Sequence, residues 1–596
     1  VETPEDLVTK DGIDFKNEYV EMRDGVRIAV SIWTTPDLVK AAPSVLINTR
    51  YWRAVKTESS SLEKQPYYPL ASKLLTHGYS LIVADARGSG ASFGCRLAET
   101  DCNEVEDIHE LIVWISSQSW CDGRVVTSGT SYSAITTLYS LTSSANSLVA
   151  GICRAPDFDM YRHLFAPGGI VNEWFIKTWG AVTAAQDAND TDALFSYGYW
   201  PVPESGAGSI KGVLPVGEDK QLLSDAVDSH KSNFNIGQTG SLECIDDFLF
   251  QYNPPIYDEY IRYAIERNQV PLVIRCGWHD AGTALGALAL YCTLEIPVQI
   301  VLGPWNHEGT YYVDPFKDKC DSCLRSAPED EAKTMLVRSL DKMVEQAPSR
   351  KKREVIYFTL GENKWKIAEK WPLPETKLQR WFFSAENELT KMQPMLPEGE
   401  DHYQIDSSAS TGRFNRWYAQ SPNQPVLFPD RYEEDKKLLV YDSQPLGEDI
   451  EITGHPVVSL YLKSTAADGQ FFVYLECIDS AGCVTLLTEG QLRGKHRKIS
   501  DDVPPYKMFG PYHSLKRVDI EPMRPDEVAE VTFDLLPISV LLKKGQRIRV
   551  AVAGADADTF TQIPESSGSE ISVKRNMVNA SWIDIPVIPR CREGLN

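Results

Sequence analysis

The stretch Asp122–Tyr139, D-G-R-V-V-T-S-G-T-S-Y-S-A-I-T-T-L-Y, constrains the fold more than any other part of the chain. Arg124–Thr127 is short and largely β-branched, which suits a strand. Gly129-Thr130-Ser131-Tyr132-Ser133 is a tight turn with a serine at its apex, and Ala134–Tyr139 opens a buried helix. Strand, sharp turn and helix around a central serine make a nucleophile elbow. The elbow lifts the serine oxygen above a sheet and points the helix amides at developing negative charge. The usual pattern is G-x-S-x-G, whereas this chain has G-x-S-x-S, with Ser133 in place of the second glycine. A serine is small enough for the close approach of strand and helix. On its own the motif also describes an ordinary glycine–serine turn, so its meaning depends on the rest of the chain.

Around the elbow, strands and helices alternate. Tyr19–Met22, Asp24-Gly25 and Val26–Trp33 read as strand, turn and strand. Ser44–Asn48 is an apolar strand running into the polar-aromatic loop Thr49–Arg53. Pro69–Thr76 reads as a helix ended by Gly78, Ser80–Ala84 as a strand, Asn103–Ser116 as an amphipathic helix and Leu148–Cys153 as a strand. This order predicts a mainly parallel sheet covered on both faces. The glycines of Asp85–Ser92 lack a following G-K-[ST] and dinucleotide spacing, so Asp85 and Arg87 are read as structural partners.

Residues 155–268 break the rhythm. Glu173–Asp187, Asp192–Tyr197, Lys220–Ser229 and Ile256–Arg267 suit helices in an insertion over the sheet's carboxyl edge. The sheet resumes at Pro271–Cys276 and Val298–Leu302, and Pro328–Glu345 reads as an amphipathic closing helix. After about Lys351 the period becomes two. Val355–Thr359, Arg380–Ser384, Leu438–Tyr441, Val457–Ser464, Phe471–Ile478, Val484–Arg493, Ala529–Leu535, Arg547–Ala553 and Ser569–Lys574 suit an antiparallel β-sandwich or jelly roll. The fold class expected is therefore α/β: an α/β-hydrolase domain in two parts (1–154 and 269–350), an inserted helical cap (155–268) and a C-terminal jelly-roll domain (351–596). A chain of 596 residues is too long for one ordinary core.

The net charge of −23 argues against nucleic acid or an anionic membrane as partner. No run of 18 apolar residues suggests a membrane-spanning helix. The start, Val1-Glu2-Thr3-Pro4, does not read as a signal peptide; a trimmed form, the compartment and self-association are left open. Twelve cysteines are few for this length, and the lone C-x-x-C at Cys320 and Cys323 does not read as a zinc site. The thiol or disulfide state of Cys320/Cys323 and of Cys477/Cys483, which flank a hairpin turn, stays open.

A serine nucleophile needs a base, and the base needs a group that holds its tautomer. Asp280 stands at one later strand end and His307 at the next, giving the chain order Ser131, Asp280, His307 expected of an α/β hydrolase. His279 should point away from Asp280; Asp85 precedes the elbow; His77, His109 and His230 suit packing or surface roles. Asp157 and Asp159 either face the pocket or cap a helix. The reaction expected is two-step acyl transfer, with the Tyr132 N–H and the Tyr51 hydroxyl as oxyanion donors. Loss of one such donor costs about 2.7–4 kcal/mol of transition-state stabilisation. No metal or organic cofactor is called for.

These residues resemble the cocaine esterase-like hydrolases, within the X-Pro dipeptidyl-peptidase group of α/β hydrolases. The likeness rests on Asp24-Gly25-Val26, Ala84–Gly90, Ser128–Tyr132, Gly277–Asp280, Gly303–His307 and Leu487–Arg493. It implies Ser131 as nucleophile, Asp280 as orienting acid, His307 as base, and Tyr51 with the Tyr132 amide as oxyanion hole. It also implies a cap and jelly roll walling the pocket; Trp52, Asp157, Phe165, Trp174, Trp278 and Glu308 are candidate substrate contacts. The α-amino acid ester hydrolases of this group follow their acid with further acidic residues. Here Asp280-Ala281-Gly282-Thr283 follows another pattern. The reading preferred is an esterase for a small-molecule ester, with a dipeptidyl-peptidase or amide acylase as alternative and a non-catalytic ligand-binding protein as the reading of another class.

Overall fold

The computed structural model describes residues 12–589 apart from 36–40, 59–60, 198–209, 240–241, 249–253, 318–324, 327–335, 337, 341–351, 421–423, 526 and 565–567. The hairpin read at Asp24-Gly25 is present as β1 (Asp14–Glu21) and β2 (Arg27–Thr34), with Gly25 at φ 80° in the turn. Then come β3 (Ala42–Thr49), β4 (Val55–Thr57), α1 (Tyr68–Thr76), β5 (Ser80–Asp85), α2 (Cys102–Ser116), β6 (Cys121–Thr130), α3 (Tyr132–Ser140) and β7 (Leu148–Arg154). The insertion holds α4 (Glu173–Asp187), α5 (Thr191–Ser196), β8 (Ile210–Val213), α6 (Lys220–Ser229) and α7 (Glu259–Asn268). Its helices match the sequence reading because each has a local start signal: Asn172, Asp190, Asp219 and Asp258 accept hydrogen bonds from first-turn amides. The short β8, which pairs with β4, carries no period long enough to read.

The chain then returns as β9 (Leu272–Gly277), α8 (Thr283–Thr293), β10 (Val298–Gly303), the small ladder β11 (Tyr311–Tyr312) with β12 (Arg325–Ser326), and β13 (Arg353–Thr359) with β14 (Lys364–Ala368). One sheet runs in the order β1-β2-β5-β3-β6-β7-β9-β10-β13-β14, parallel from β5 through β13. β5 and β9 are buried at every position, as strands covered on both faces must be. The strands just after the expected boundary at 350 extend the first sheet. β13 pairs with β10 and β14 with β13, so the first sheet takes in 353–368 before the chain leaves it. The alternation of β13 hides this, because an outer strand of a large sheet and a sandwich strand share a period of two. The closing helix read at Pro328–Glu345 lies almost wholly outside the described residues, as do Cys320 and Cys323.

The β-rich C-terminal unit is a sheet network of thirteen strands. All the sandwich strands read after 370 are present, among them Val457–Ser464, Val484–Arg493 and Arg547–Ala553 with unchanged bounds. The sequence reading missed Ile450–Gly454, Ile538–Leu542 and Trp582–Ile588. Cys477 and Cys483 flank the turn between Gln470–Ile478 and Val484–Arg493, where the Asp479 amide donates to the Cys483 carbonyl. The two units share a core: Tyr161, Phe165, Phe175 and Ala281 pack with Trp417, Phe472, Tyr474 and Phe560. No helix among the described residues is long and apolar enough to cross a membrane.

Candidate active site

β6 delivers the elbow to the carboxyl edge of the sheet, flanked by β3 and β7. Ser131 sits at φ 59°, ψ −125°, a conformation that costs a non-glycine residue on the order of 1–3 kcal/mol. Its N–H donates to the Arg154 carbonyl at 3.0 Å, and its carbonyl accepts from the amides of Ala134 and Ile135, so the strained residue is tied on both sides. A Cβ on Gly129 would stand 2.3 Å from the Ser133 carbonyl and 2.4 Å from the Ser133 Cβ. The first glycine of the motif is therefore obligatory, and the space it leaves is what admits Ser133 where a second glycine is usual. Tyr132 is the first residue of α3, so its N–H is among those the helix leaves unused.

The loop after β9 carries Asp280, and the loop after β10 carries His307. The two loops are in close contact: a Cβ on Gly277 would lie 2.0 Å from the Trp305 carbonyl oxygen. His307 Nδ1 donates to the Asp280 carboxylate, at 2.9 Å from Oδ1 and 3.0 Å from Oδ2. Asp280 is fully buried and takes two further donors, Thr283 Oγ1 at 3.1 Å and Gln420 Nε2 at 2.5 Å. With Nδ1–H committed to the carboxylate, a neutral ring presents its lone pair at Nε2, which is buried and meets no hydrogen-bond partner among the described residues. Burial pulls the His307 pKa down, but the charge and hydrogen bond of Asp280, with Asp157 and Glu308 behind, leave it raised above its ordinary value.

Tyr51 follows β3. Trp179 Nε1 of the cap helix α4 donates to its hydroxyl oxygen at 3.1 Å, and the same hydroxyl shares a hydrogen bond with Ser131. Its ring meets that of Tyr132 edge to face, 6.1 Å between centroids. Beneath them, the Tyr132 hydroxyl donates to Glu104 at 2.5 Å, and Asn48 Nδ2 donates to the other Glu104 oxygen at 2.7 Å. Burial lifts Glu104 to about 8 against the pull of the Tyr132 hydrogen bond. Arg50 is fully buried between Glu99 and Asp187, 5.7 Å from the Tyr132 ring and 5.1 Å from the Trp179 ring, so buried ion pairs join the loop after β3 to the cap.

The other sequence candidates divide. Trp52 is fully buried in a core with Val55, Val182 and Leu194, and its Nε1 donates to the Gln186 carbonyl. Trp278 is closed off likewise, its Nε1 donating to the Phe358 carbonyl. Both indoles are packed in core with their N–H groups spent on backbone carbonyls, and a strand-end aromatic that faces the core reads in sequence like one that faces a pocket. Phe165 backs Phe175 and Trp179, and Trp174 stacks on Tyr418 at 3.8 Å, joining cap to β-rich unit. Asp157 and Glu308 lie within the electrostatic reach of His307. His279 faces away from Asp280 as expected; its Nε2 donates to the Leu487 carbonyl, and burial lowers its pKa to about 3. Asp85 accepts from the Arg53 and Ala91 amides, and Arg87 pairs with Asp24 and Asp107, the structural roles read for them.

Three contributors were not found in sequence: Gln420, Trp179 and Glu104. Gln420 stands in a short turn 140 residues after Asp280 with no motif around it. Glu104 sits on a helix read only for its apolar stripe, and Trp179 on one read only as a helix of the insertion.

A parallel α/β sheet with a strained serine after one strand, and a buried histidine–carboxylate pair after two later ones, defines a serine-hydrolase-type enzyme on an α/β-hydrolase scaffold. The comparisons with known proteins agree. The family model for X-Pro dipeptidyl-peptidase (S15 family) matches residues 24–309, and that for the X-Pro dipeptidyl-peptidase C-terminal non-catalytic domain matches 350–580. A Mycobacterium bovis protein named as a serine esterase is 37% identical, with 97% of this chain and 96% of its own length covered. The cocaine esterase of a Rhodococcus species is 24% identical over 96% of this chain and 98% of its own. Among solved structures, an aminopeptidase from a Thaumarchaeota archaeon superposes with a TM-score of 0.70 at 20% identity, covering 98% of each chain. The chain belongs to the superfamily of S15 peptidases and cocaine-esterase-like hydrolases, and it is a hydrolytic enzyme acting on small-molecule esters or peptide bonds.

Proposed function

We propose that the chain hydrolyses a carboxylic ester of a small molecule through an acyl-enzyme on Ser131. The observation that carries this reading is the buried pair His307–Asp280, whose Nδ1 bond leaves Nε2 as the acceptor, in a chain whose elbow serine shares a hydrogen bond with Tyr51. His307 Nε2 takes the Ser131 proton as Oγ attacks the carbonyl carbon. The oxyanion that forms is held by the Tyr51 hydroxyl and the Tyr132 N–H. Trp179 donates to the Tyr51 oxygen, so the phenol proton is not spent on Trp179. His307 gives its proton to the leaving oxygen, then draws one from water to release the acid. Ester rather than peptide is favoured by the name of the Mycobacterium bovis relative. The acid loop, where Ala281, Gly282 and Thr283 follow Asp280, sets the chain apart from the α-amino acid ester hydrolases alone, and Asp157, Asp159, Glu173 and Glu308 are the carboxylates a substrate amine would meet in the dipeptidyl-peptidase alternative.

Labelling by a fluorophosphonate tests the nucleophile: wild type labels and Ser131→Ala does not, and retained labelling would refute the assignment. A series of p-nitrophenyl acyl esters beside X-Pro dipeptides with free and blocked amino ends tests the substrate class. Faster turnover of free-amine dipeptides than of any ester would move the reading to a dipeptidyl-peptidase.

A further inference from the structure

The steps above make no use of Asp157. This residue leaves the sheet from β7, which lies between the strand that carries Ser131 and the strand that leads to Asp280. Arg154 of β7 is in register with Thr130 on one side and with Arg275 on the other. Ser131, Asp157 and Asp280 follow that common rung by one, three and five residues (131 − 130, 157 − 154, 280 − 275), so the three segments emerge side by side. The next residue, Phe158, fixes the depth of the segment: its N and Cβ lie 3.4 and 3.3 Å from where a side chain on Gly286 of α8 would begin. Asp157 is thus pinned beside the helix that the Asp280 loop opens.

The residue is 5% exposed, and its Oδ1 is buried without a hydrogen-bond donor among the described residues. Leaving a buried carboxyl oxygen unpaired is costly, and such an exception calls for a cause. The charged groups that face it are His307 from the loop after β10, Asp280 from the loop after β9 and Asp159 from its own segment. Asp159 is already committed, to Arg162 at 2.9 Å and the Tyr506 hydroxyl at 3.1 Å. His307 is the only cation-forming group of the three.

We propose that Asp157 is a second carboxyl for His307, a positioning residue whose ionised form stabilises the imidazolium made when Ser131 gives up its proton. The proposal rests on the acyl-enzyme reading. In the step concerned, the Oγ–H bond breaks, the proton forms a bond to Nε2, and Oγ bonds the carbonyl carbon; Asp157 exchanges no proton. Burial raises Asp157 to about 7 against the pull of His307. Its charge is therefore present above about pH 7 and absent below.

The test is the ratio of wild-type to Asp157→Asn kcat/KM across pH, on one p-nitrophenyl ester. The ratio should be near one at pH 6 and rise to about tenfold at pH 8.5, the size of one pK unit of differential interaction. Asp157→Glu should recover part of the loss at pH 8.5. A ratio that is flat across pH, whether one or tenfold, overturns the proposal, because a packing role has no reason to follow ionisation. Folding is checked by the melting temperature at pH 8.5, which Asn should not lower, since it removes a buried charge. Fluorophosphonate labelling separates the two readings. Labelling lost in Ser131→Ala with a flat ratio sinks Asp157 alone, whereas labelling kept in Ser131→Ala sinks the acyl-enzyme reading beneath it.

Discussion

Asp280 accepts from His307, Thr283 and Gln420 with no solvent contact, so its effect on His307 depends on each of those donors. Replacing Asp280 by Asn should cut kcat by about 10⁴-fold through the wrong tautomer. It should also move the acid limb. The pKa of His307 is raised by Asp280, and the base works only when neutral, so wild-type activity falls as pH drops through that raised value. Asn removes the cause, and the residual activity should persist to lower pH; a pH–kcat/KM profile that keeps the wild-type limb would refute this. Gln420→Glu places a second carboxylate against Asp280 at 2.5 Å, where both cannot stay ionised. It should cost more activity than Gln420→Ala, measured as kcat/KM at pH 8. Ser131, Asp280 and His307 stood out as candidates in sequence because each closes a buried strand with turn residues around it. Gln420 did not, because its partner is reached only through the packing of two units.

At the scale of elements, the elbow is where strand and helix come closest. Gly129→Ala drives a Cβ to 2.3 Å from the Ser133 backbone, which cannot yield without moving α3, so fluorophosphonate labelling should vanish even where folded protein is recovered. Ser133→Gly, which restores the usual motif, should keep the labelling rate and lower stability by about 0.5–1 kcal/mol, the cost of glycine in a helix. Glu104 joins β3, α2 and α3 through Asn48 and Tyr132. Its folded pKa, about 8, lies above the unfolded carboxyl value. Its favourable share of stability is therefore complete below the unfolded value and is lost as pH rises through about 8. Glu104→Gln should flatten the fall in melting temperature between about pH 5 and 9; an unchanged slope would place the cause elsewhere. The apolar stripe of α2 was readable, but its buried acids, Glu104 and Asp107, were not, because an acid at helical spacing reads as solvated until the neighbouring segments are in place. Likewise β13 and β14 alternate like sandwich strands, and only pairing assigns them to the first sheet.

For the molecule as a whole, the shared core of Tyr161, Phe165 and Ala281 with Trp417, Phe472 and Phe560 makes the two units one structural body around the site. Esterase activity and tryptophan fluorescence should therefore fall at the same urea midpoint; activity that outlived the fluorescence change would show that the β-rich unit is dispensable. The division into an α/β half and a β-rich half was legible from the change of period, since 3.6 and 2 are properties of local sequence. The contact between the halves was not, because no local pattern encodes which loops meet. That contact has a consequence for synthesis. The ribosome has released Ser131, Asp280 and His307 well before residue 420 emerges, so a growing chain holds every proposed acyl-transfer group while Asp280 still lacks the amide that secures it. A product ending at a premature stop after residue 370 would carry an intact signature and little turnover.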